Sequence, residues 1–249
     1  MVRVVRELGT DYLFAGLLEK ELKKHDFPLD VALHIEPSNR SEIFFSQDVR
    51  ITDPMNDIKF CFYVEPTQEE EMTRLFGKNC ALVTYAADPE LHYQHDVEKI
   101  YDVGFIGNKG GDDRDIYLDV LRESGLKFYE SSATNGDFVA SELSRCKVLF
   151  NYIRYVDVNL RFFETMAIGC QLVNRKPGLE KLATRGLHYR SYNSPKEMLA
   201  VLDILLNYEG ERKHIETNAR SHFLSNHTYA HRATAIINHL KEFYGVYSR

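Results

Sequence analysis

The residues best suited to chemistry are a charged pair near the start of a predicted helix, Arg161 and Glu164. The helix is expected to begin near Asn159 and to end at Gly169, and the three-residue spacing puts both charges on one face. A glutamate in the first two turns can accept two hydroxyl hydrogen bonds, which suits a vicinal diol such as a ribose. The free N–H groups at Asn159 and Leu160 suit a phosphate or a sugar. The alternative is a core helix whose Glu and Arg are merely solvated.

A second candidate is a glycine-containing turn between a strand and a helix. An apolar run at 101–107 predicts a strand that ends at Gly107, and Asn108, Lys109 and Arg114 follow before an amphipathic helix to about Glu123. Strand, turn and helix in this order let backbone N–H groups approach phosphates. Glycine also ends strands for steric reasons alone, so a purely structural turn remains the alternative.

Several isolated polar residues are weaker candidates. His34, Asp88 and His92 are possible bases, but a lone histidine beside a strand end is more often structural, and an Asp-Pro pair typically starts a turn. His227 and His231 have the spacing of a zinc pair, but no third ligand or glutamate base follows in a zinc pattern. We therefore expect no metal site.

Composition restricts the compartment and the partners. The chain has 249 residues, 44% of them hydrophobic and 27% charged, which is ordinary for a globular protein. A net charge of −6 gives no general attraction to nucleic acid or to anionic membranes. The four cysteines lie far apart and fit buried free thiols, and neither a leader nor an apolar run of membrane-spanning length is evident. These features predict a cytoplasmic protein.

Short strands alternate with helices along most of the chain, which predicts an α/β fold of parallel sheets with helices on both faces. Asn151 falls at the carboxyl end of a predicted strand, where it could reach a ligand, whereas Lys147 at the start of that strand suggests a structural role. A polar hinge is expected at 93–99. The predicted strands are 1–7, 30–35, 58–64, 80–85, 101–107, 126–129, 147–151, 170–173 and 187–190, and the predicted helices are 12–24, 65–76, about 114–123, 137–145, 159–168, 178–184, 195–208 and two between 211 and 244.

Four motifs resemble, in order, those of the group 1 glycosyltransferases, and specifically of the CgeB-like branch named for a spore-maturation protein. The motif at 161–169 (RFFETMAIG) is similar to "R-x-F-E-x-x-A-x-G". The other three are 87–92 (ADPELH), similar to "A-x-D-P-x-x-H"; Lys147 and Asn151, similar to "K-x-x-x-N"; and 227–232 (HTYAHR), similar to "H-T-x-x-x-R". The strand at 101–107 also resembles the first strand and diphosphate loop of that family's donor domain.

The resemblance implies a GT-B-like fold: two Rossmann-like domains with parallel sheets, the N-terminal one reduced. The implied domains are an acceptor domain at 1–97, a donor domain at 98–225 and a C-terminal helix at 226–249 that crosses back to the first domain. The implied activity is metal-independent transfer of a hexose from a nucleotide diphosphate sugar, with UDP-sugar expected, to a hydroxyl on a glycan, a small molecule, a protein or a modified DNA base. Retention of the anomeric configuration is also implied, with no cofactor beyond the donor.

The residue patterns and the resemblance together give the expected site residues. Arg114, Asp88 and His34 are the expected catalytic residues, with Arg114 stabilising the departing diphosphate. The expected donor-binding residues are Gly107, Asn108, Lys109, Arg114, Asn151, Asn159, Leu160, Arg161 and Glu164.

Three features depart from the family pattern. The first half of the chain is short. Many group 1 enzymes have an acidic residue eight positions before the ribose-binding one, but here that position is Val156, and Asp157 is one position off. Asn159 replaces a glycine. Two alternatives stay open: a module that binds a nucleotide or sugar without transfer, and a phage-type enzyme that glucosylates DNA bases, against which the negative net charge argues.

Overall fold

The computed structural model describes residues 17–18, 20–25, 43–46, 60–108, 113–132, 136–154 and 158–245. The chain divides into two compact units, of which the first contains 1–86 and 229–249 and the second contains 87–228. The strands predicted at 1–7 and 30–35 lie outside the described residues, as do His34, Lys109, Val156 and Asp157. No helix in the described part of the chain is long and apolar enough to cross a membrane.

The first unit contains a parallel three-stranded sheet in the order β1-β2-β3. A 3₁₀ turn at Pro66–Gln68 follows β2, and the carboxylate of Glu65 caps it by accepting from the N–H of Thr67 at 3.0 Å. Three glutamates then begin α1, where they complement the positive end of the helix dipole. The elements are β1 (Ile43–Ser46), β2 (Phe60–Tyr63), α1 (Glu69–Phe76) and β3 (Cys80–Leu82).

The second unit is built on a five-stranded sheet in the order β5-β4-β6-β7-β8, in which every pair is parallel. The α/β class with parallel sheets is therefore confirmed. The elements are β4 (Tyr101–Ile106), α2 (Asp113–Glu123), β5 (Phe128–Ser131), α3 (Gly136–Ser144), β6 (Cys146–Asn151), α4 (Leu160–Ile168), β7 (Gln171–Asn174), a 3₁₀ turn (Leu179–Lys181), β8 (Arg190–Tyr192), α5 (Pro195–Asn207) and α6 (Glu209–Asn226).

Two hydrophobic clusters pack against this sheet, because successive side chains of a strand point to opposite faces. In β6, Val148 and Phe150 join the cluster that includes α2 and α5, whereas Leu149 joins the one that includes α3. Both clusters are fully buried, so the central strands read as continuous apolar runs rather than alternating ones.

Helix α4 has local signals at both ends. Asn159 is its N-cap, and the N–H of Gly169 donates to the carbonyl of Thr165 at 2.9 Å where the helix stops. A Cβ at Gly169 would lie 3.3 Å from a methyl group of Leu149, so glycine allows the helix end to pack closely on β6. Every residue from Phe162 to Ile168 is buried.

The last helix, α7 (Tyr229–Tyr244), belongs to the first unit, where Ala233, Ile236 and Leu240 pack on the sheet residues Phe60 and Phe62. The guanidinium of Arg232 donates to the backbone carbonyls of Thr84 and Tyr85 at 2.9 to 3.1 Å. Ala87 and Thr228 are the first and last residues of the second unit. They pair in a parallel bridge, so the two ends of that unit are adjacent.

Two strands differ most from the sequence prediction, whereas others, such as β5 at Phe128–Ser131, are only shifted or shortened. β1 was not predicted, since its short apolar run in a polar segment becomes a strand only by pairing with β2. The strand predicted at 187–190 begins at Arg190 instead, because residues 184–188 form a turn in which Gly186 has a φ of 86°. That left-handed conformation favours glycine and keeps the preceding residues out of the sheet.

Candidate functional site

Strands β4 and β6 are neighbours in the five-stranded sheet, and their carboxyl ends lie side by side. We call these carboxyl ends the sheet edge. β4 leads into Gly107 and Asn108, β6 ends at Asn151, and Asn159 is the N-cap of α4, the next helix along the chain. Open α/β sheets bind ligands at the carboxyl ends of their strands. The structure therefore places four of the predicted donor-binding residues around the edge where a ligand is expected.

Asn151 and Asn159 bind each other. Nδ2 of Asn151 donates to Oδ1 of Asn159 at 3.1 Å, and Nδ2 of Asn159 donates to Oδ1 of Asn151 at 3.0 Å. Oδ1 of Asn159 also accepts from the N–H of Phe162 at 3.1 Å, which caps α4. The hydroxyl of Tyr192 donates to the backbone carbonyl of Asn151 at 3.1 Å. Asn159, which replaces the glycine of the resembled pattern, thus ties the start of α4 to the end of β6.

The Glu164 carboxylate lies inside the second unit, with the residue only 4% exposed. Its Oε2 is 2.6 Å from Nη1 of Arg161, and its Oε1 is 3.1 Å from Nε2 of His92. Burial alone would raise the pKa of Glu164, but the charge of Arg161 and the contact with His92 outweigh it and lower the pKa below its ordinary value. Glu164 is therefore an ionised, buried carboxylate, and the alternative of a merely solvated glutamate is wrong.

His92 is held by the turn that precedes it. Its residue is 1% exposed, and Nδ1 lies 3.3 Å from the backbone nitrogen and 3.2 Å from the backbone oxygen of Asp88. Oδ1 of Asp88 accepts from the N–H of Glu90 at 2.8 Å, a typical contact of an aspartate that starts a turn. These contacts favour the structural role for Asp88 and bring His92 onto Glu164.

Phe105 supports both parts of the predicted phosphate turn. A Cβ at Gly107 would come within 2.8 Å of Cζ of Phe105, so glycine leaves room for the ring. The guanidinium carbon of the buried Arg114 lies 5.3 Å from the centroid of the same ring. The N–H of Gly107 donates to the carbonyl of Ser131 at 2.9 Å. The sheet therefore uses the Gly107 N–H that the turn was expected to offer to a phosphate.

Two further polar residues fix the neighbourhood of the site. Lys147 lies 2.8 Å from the carboxylate of Asp102 on the adjacent strand, so its contact is a structural ion pair. Asn174, at the end of β7, accepts from the N–H of Ile153 at 2.7 Å and donates to the Ile153 carbonyl at 2.9 Å. Sequence reasoning missed Asn174, although it follows a buried strand in the same way as Asn151 does.

A group of histidines surrounds the backbone carbonyl of Leu182. Nε2 of His222 and Nε2 of His227 lie 2.7 and 2.9 Å from that oxygen, and the rings of His188 and His222 stack with centroids 4.2 Å apart. These contacts give the imidazoles a hydrogen-bonding role. Within residues that the structure describes, no group of three or more His, Cys, Asp or Glu side chains is arranged to hold a metal ion.

Solved structures share this architecture, although their sequences have diverged. A glycosyltransferase from Rickettsia africae superposes with a TM-score of 0.68 at 7% identity, over 97% of this chain and 85% of that one. HepE of Anabaena, solved in complex with UDP and glucose, has a TM-score of 0.66 at 9% identity, over 80% and 71%. Sucrose-phosphate synthase of Thermosynechococcus elongatus has a TM-score of 0.62 at 10% identity, over 94% and 72%. The fold is that of the GT-B glycosyltransferases.

Sequence comparison identifies the family. The family model described as glycosyl transferase-like matches residues 94–238, more than half of the chain. The chain belongs to the glycosyl transferase-like family. The matched segment contains the carboxyl ends of β4 and β6, together with Glu164 and Arg161. No curated protein sequence matches the chain.

Proposed function

We propose that this protein transfers a hexose from a nucleotide diphosphate sugar, first of all a UDP-sugar, to a hydroxyl group of an acceptor. The observation that carries the proposal is the buried carboxylate of Glu164, held by His92 and Arg161 in the second turn of α4, the helix that follows the carboxyl end of β6, where α/β folds bind ligands. The family match covers this edge, and HepE, which shares the fold, was solved with UDP and glucose.

Each part of the edge has a chemical role in this proposal. The Glu164 carboxylate accepts hydrogen bonds from the ribose hydroxyls. Asn151, Asn159 and the N–H of Leu160 hold the donor at the start of α4. During transfer, the bond from the anomeric carbon to the diphosphate breaks, the anomeric carbon bonds to the acceptor oxygen, and the acceptor proton leaves. Arg114, Lys109 and Arg161 then stabilise the negative charge that develops on the diphosphate.

Positive side chains and a helix N-terminus stabilise a leaving diphosphate without a bound metal, so we propose a metal-independent reaction. Three finer proposals rest on the resemblance of the motifs. They are retention of the anomeric configuration, membership of the CgeB-like branch, and an acceptor that is a glycan, a small molecule, a protein or a modified DNA base. Asp88, in a resembled motif, and His34, at the end of a predicted strand, stay candidate bases. The free cysteines suit a cytoplasmic location.

One alternative has specific support. Val156 stands where group 1 enzymes often have an acidic residue, and the Gly107 N–H is bound within the sheet, which favours a module that binds a nucleotide or sugar without transferring it. A phage-type activity on DNA would need phosphate neutralisation that a net charge of −6 does not favour. Turnover of the donor distinguishes the enzyme from the binding module.

The first test is thermal unfolding with UDP, GDP, CDP and ADP, each with and without magnesium. A nucleotide at a hundred times its Kd should stabilise the protein by about 2.7 kcal/mol, or about 5–10 °C for a chain of this size. Glu164→Ala should weaken binding by about 1–3 kcal/mol because the ribose hydroxyls lose a charged acceptor. Glu123→Ala, at an exposed position at the end of α2, is the matched control and should bind normally.

Release of the nucleotide diphosphate from candidate sugar donors then measures transfer. Stabilisation by one diphosphate without metal, lost in Glu164→Ala and kept in Glu123→Ala, supports the donor site. Binding that is unchanged in Glu164→Ala would contradict the role of Glu164. Binding without any release of diphosphate across sugar donors would favour the binding module.

A further inference from the structure

Each oxygen of the Glu164 carboxylate lies beside a different nitrogen. A carboxylate offers about four acceptor positions, two on each oxygen. Nε2 of His92 lies 3.1 Å from Oε1, and Nη1 of Arg161 lies 2.6 Å from Oε2. Each oxygen therefore has one nitrogen contact among the described residues, and each has the capacity to accept from one of two neighbouring hydroxyls of a ribose.

The two contacts also fix the orientation of the carboxylate. Arg161 lies on the same helix, one turn before Glu164, whereas His92 comes from the turn near the start of the second unit. Because each oxygen has a different partner, rotation about the last side-chain bond would break one of the two contacts. A ligand that meets a carboxylate already held in one orientation loses less conformational entropy on binding.

His92 is itself oriented from the opposite side of its ring. Nδ1 lies within 3.3 Å of the backbone nitrogen and oxygen of Asp88, in a turn closed by the contact from Glu90 to the Asp88 carboxylate. A turn, an imidazole and a carboxylate therefore form one continuous buried chain. Nε2 is the ring nitrogen that faces Glu164, so a side chain with a donor at this position can replace it.

From this geometry we infer that His92 is a positioning residue for ribose recognition, which holds Glu164 so that the site selects ribonucleotide over deoxyribonucleotide donors. The inference rests on the proposed function, since it assumes that Glu164 binds the ribose of a nucleoside diphosphate. His92 itself does not touch the donor. It acts through the orientation of Glu164, and its removal should weaken the recognition of hydroxyl groups and leave the rest of the donor contacts intact.

The test compares UDP with 2′-deoxy-UDP and 3′-deoxy-UDP by calorimetric titration of the full chain. The variants are His92→Gln, whose amide reaches the position of Nε2, and His92→Asn, whose shorter amide reaches only the position of Nδ1. Both replacements are neutral and polar, so they differ mainly in whether they contact Glu164. His214→Leu, at an exposed position on α6, is the control, and thermal unfolding measures the folding of each variant.

The wild type should bind UDP about tenfold or more tightly than either deoxy analogue, since each lost hydrogen bond involves a charged acceptor. His92→Asn should lose most of the preference for UDP, because UDP makes two hydroxyl contacts with Glu164 and should weaken more than the deoxy analogues, each of which keeps one. His92→Gln and His214→Leu should keep the preference. A purely structural role for His92 would instead weaken all three ligands equally.

The outcomes separate the inference from the proposed function. If Glu164→Gln loses the preference for UDP and His92→Asn keeps it, the positioning role is wrong and the ribose contact stands. Equal weakening of all ligands in His92→Asn, or a lost preference in His92→Gln, also overturns the inference. If the wild type binds no nucleoside diphosphate, or does not distinguish UDP from its deoxy analogues, the ribose contact fails as well.

Discussion

Replacement of Asn159 by alanine should strongly destabilise the second unit, because one side chain makes three hydrogen bonds at the start of α4. Loss of an asparagine N-cap costs about 1 kcal/mol. Asn151 is 2% exposed, so its amide would lose both partners in a buried place, at about 1 kcal/mol or more for each unpaired group. The sum is about 3 kcal/mol, which corresponds to a fall in Tm of about 6–12 °C for a chain of this size.

Urea unfolding followed by far-ultraviolet circular dichroism measures this effect, since the chain contains no tryptophan for fluorescence. The matched control is Asn218→Ala on α6, where the side-chain amide donates within its own helix, to the carbonyl of His214 at 2.7 Å. The control should change the free energy of unfolding by no more than about 0.5 kcal/mol. The slope of the urea dependence should stay constant if only stability changes.

A double-mutant cycle with Asn151→Ala isolates the reciprocal pair. Once either asparagine is gone, removal of the other also removes the groups left unpaired, so the double variant should be more stable than the sum of the single effects by about 1–2 kcal/mol. If Asn159→Ala lowers the free energy of unfolding by no more than Asn218→Ala does, the hydrogen bonds of Asn159 do not stabilise this unit. Strict additivity in the cycle would show that the cap alone, and not the pair, stabilises this edge.

Three further predictions concern titration, thiol reactivity and the base. Burial, and then the neighbouring His222, lower the pKa of His188 below its ordinary value of 6.5. The stability that neutral His188 contributes is therefore present above pH 6.5 and is lost as the pH falls towards its folded pKa. Thermal unfolding midpoints measured across this range should fall less steeply in His188→Gln than in the wild type. Burial raises the pKa of Cys146 and of Cys170 to about 12, so peptide mass spectrometry should find both thiols unlabelled by a thiol reagent at neutral pH until the protein unfolds. Asp88→Asn keeps the oxygen that closes its turn, so turnover of the donor should stay within about tenfold of the wild type, whereas a loss of about 10²–10⁴ would identify Asp88 as the base.

The parts of the fold with local signals could be predicted from the sequence. Asn159 and Gly169 mark the two ends of α4 because a cap and a helix stop depend on neighbouring residues. The order of short strands and helices predicted the parallel sheets because crossovers between parallel strands need a helix. The residues at the sheet edge, such as Asn151, followed from the same rule.

Contacts between distant residues had no such signal. His92 and Glu164 were each considered alone, since their pairing depends on how the turn at 88–92 packs against α4. The mutual hydrogen bonds of Asn151 and Asn159 join residues eight positions apart, which no local pattern links. A glycine-containing turn after a strand suits a phosphate, but the sequence does not reveal whether a neighbouring strand uses the same N–H groups. Here the N–H of Gly107 donates to the carbonyl of Ser131 on the neighbouring strand.

The bridge between Ala87 and Thr228 makes the second unit a continuous insert whose two ends meet. An insert with adjacent ends can be exchanged as one piece, since both junctions lie at the same place in the structure. Two splice points, before Ala87 and after Thr228, would move the five-stranded sheet together with Glu164, His92 and Arg161. An exchange at these two points would transfer the proposed donor half of the site without a cut through either sheet.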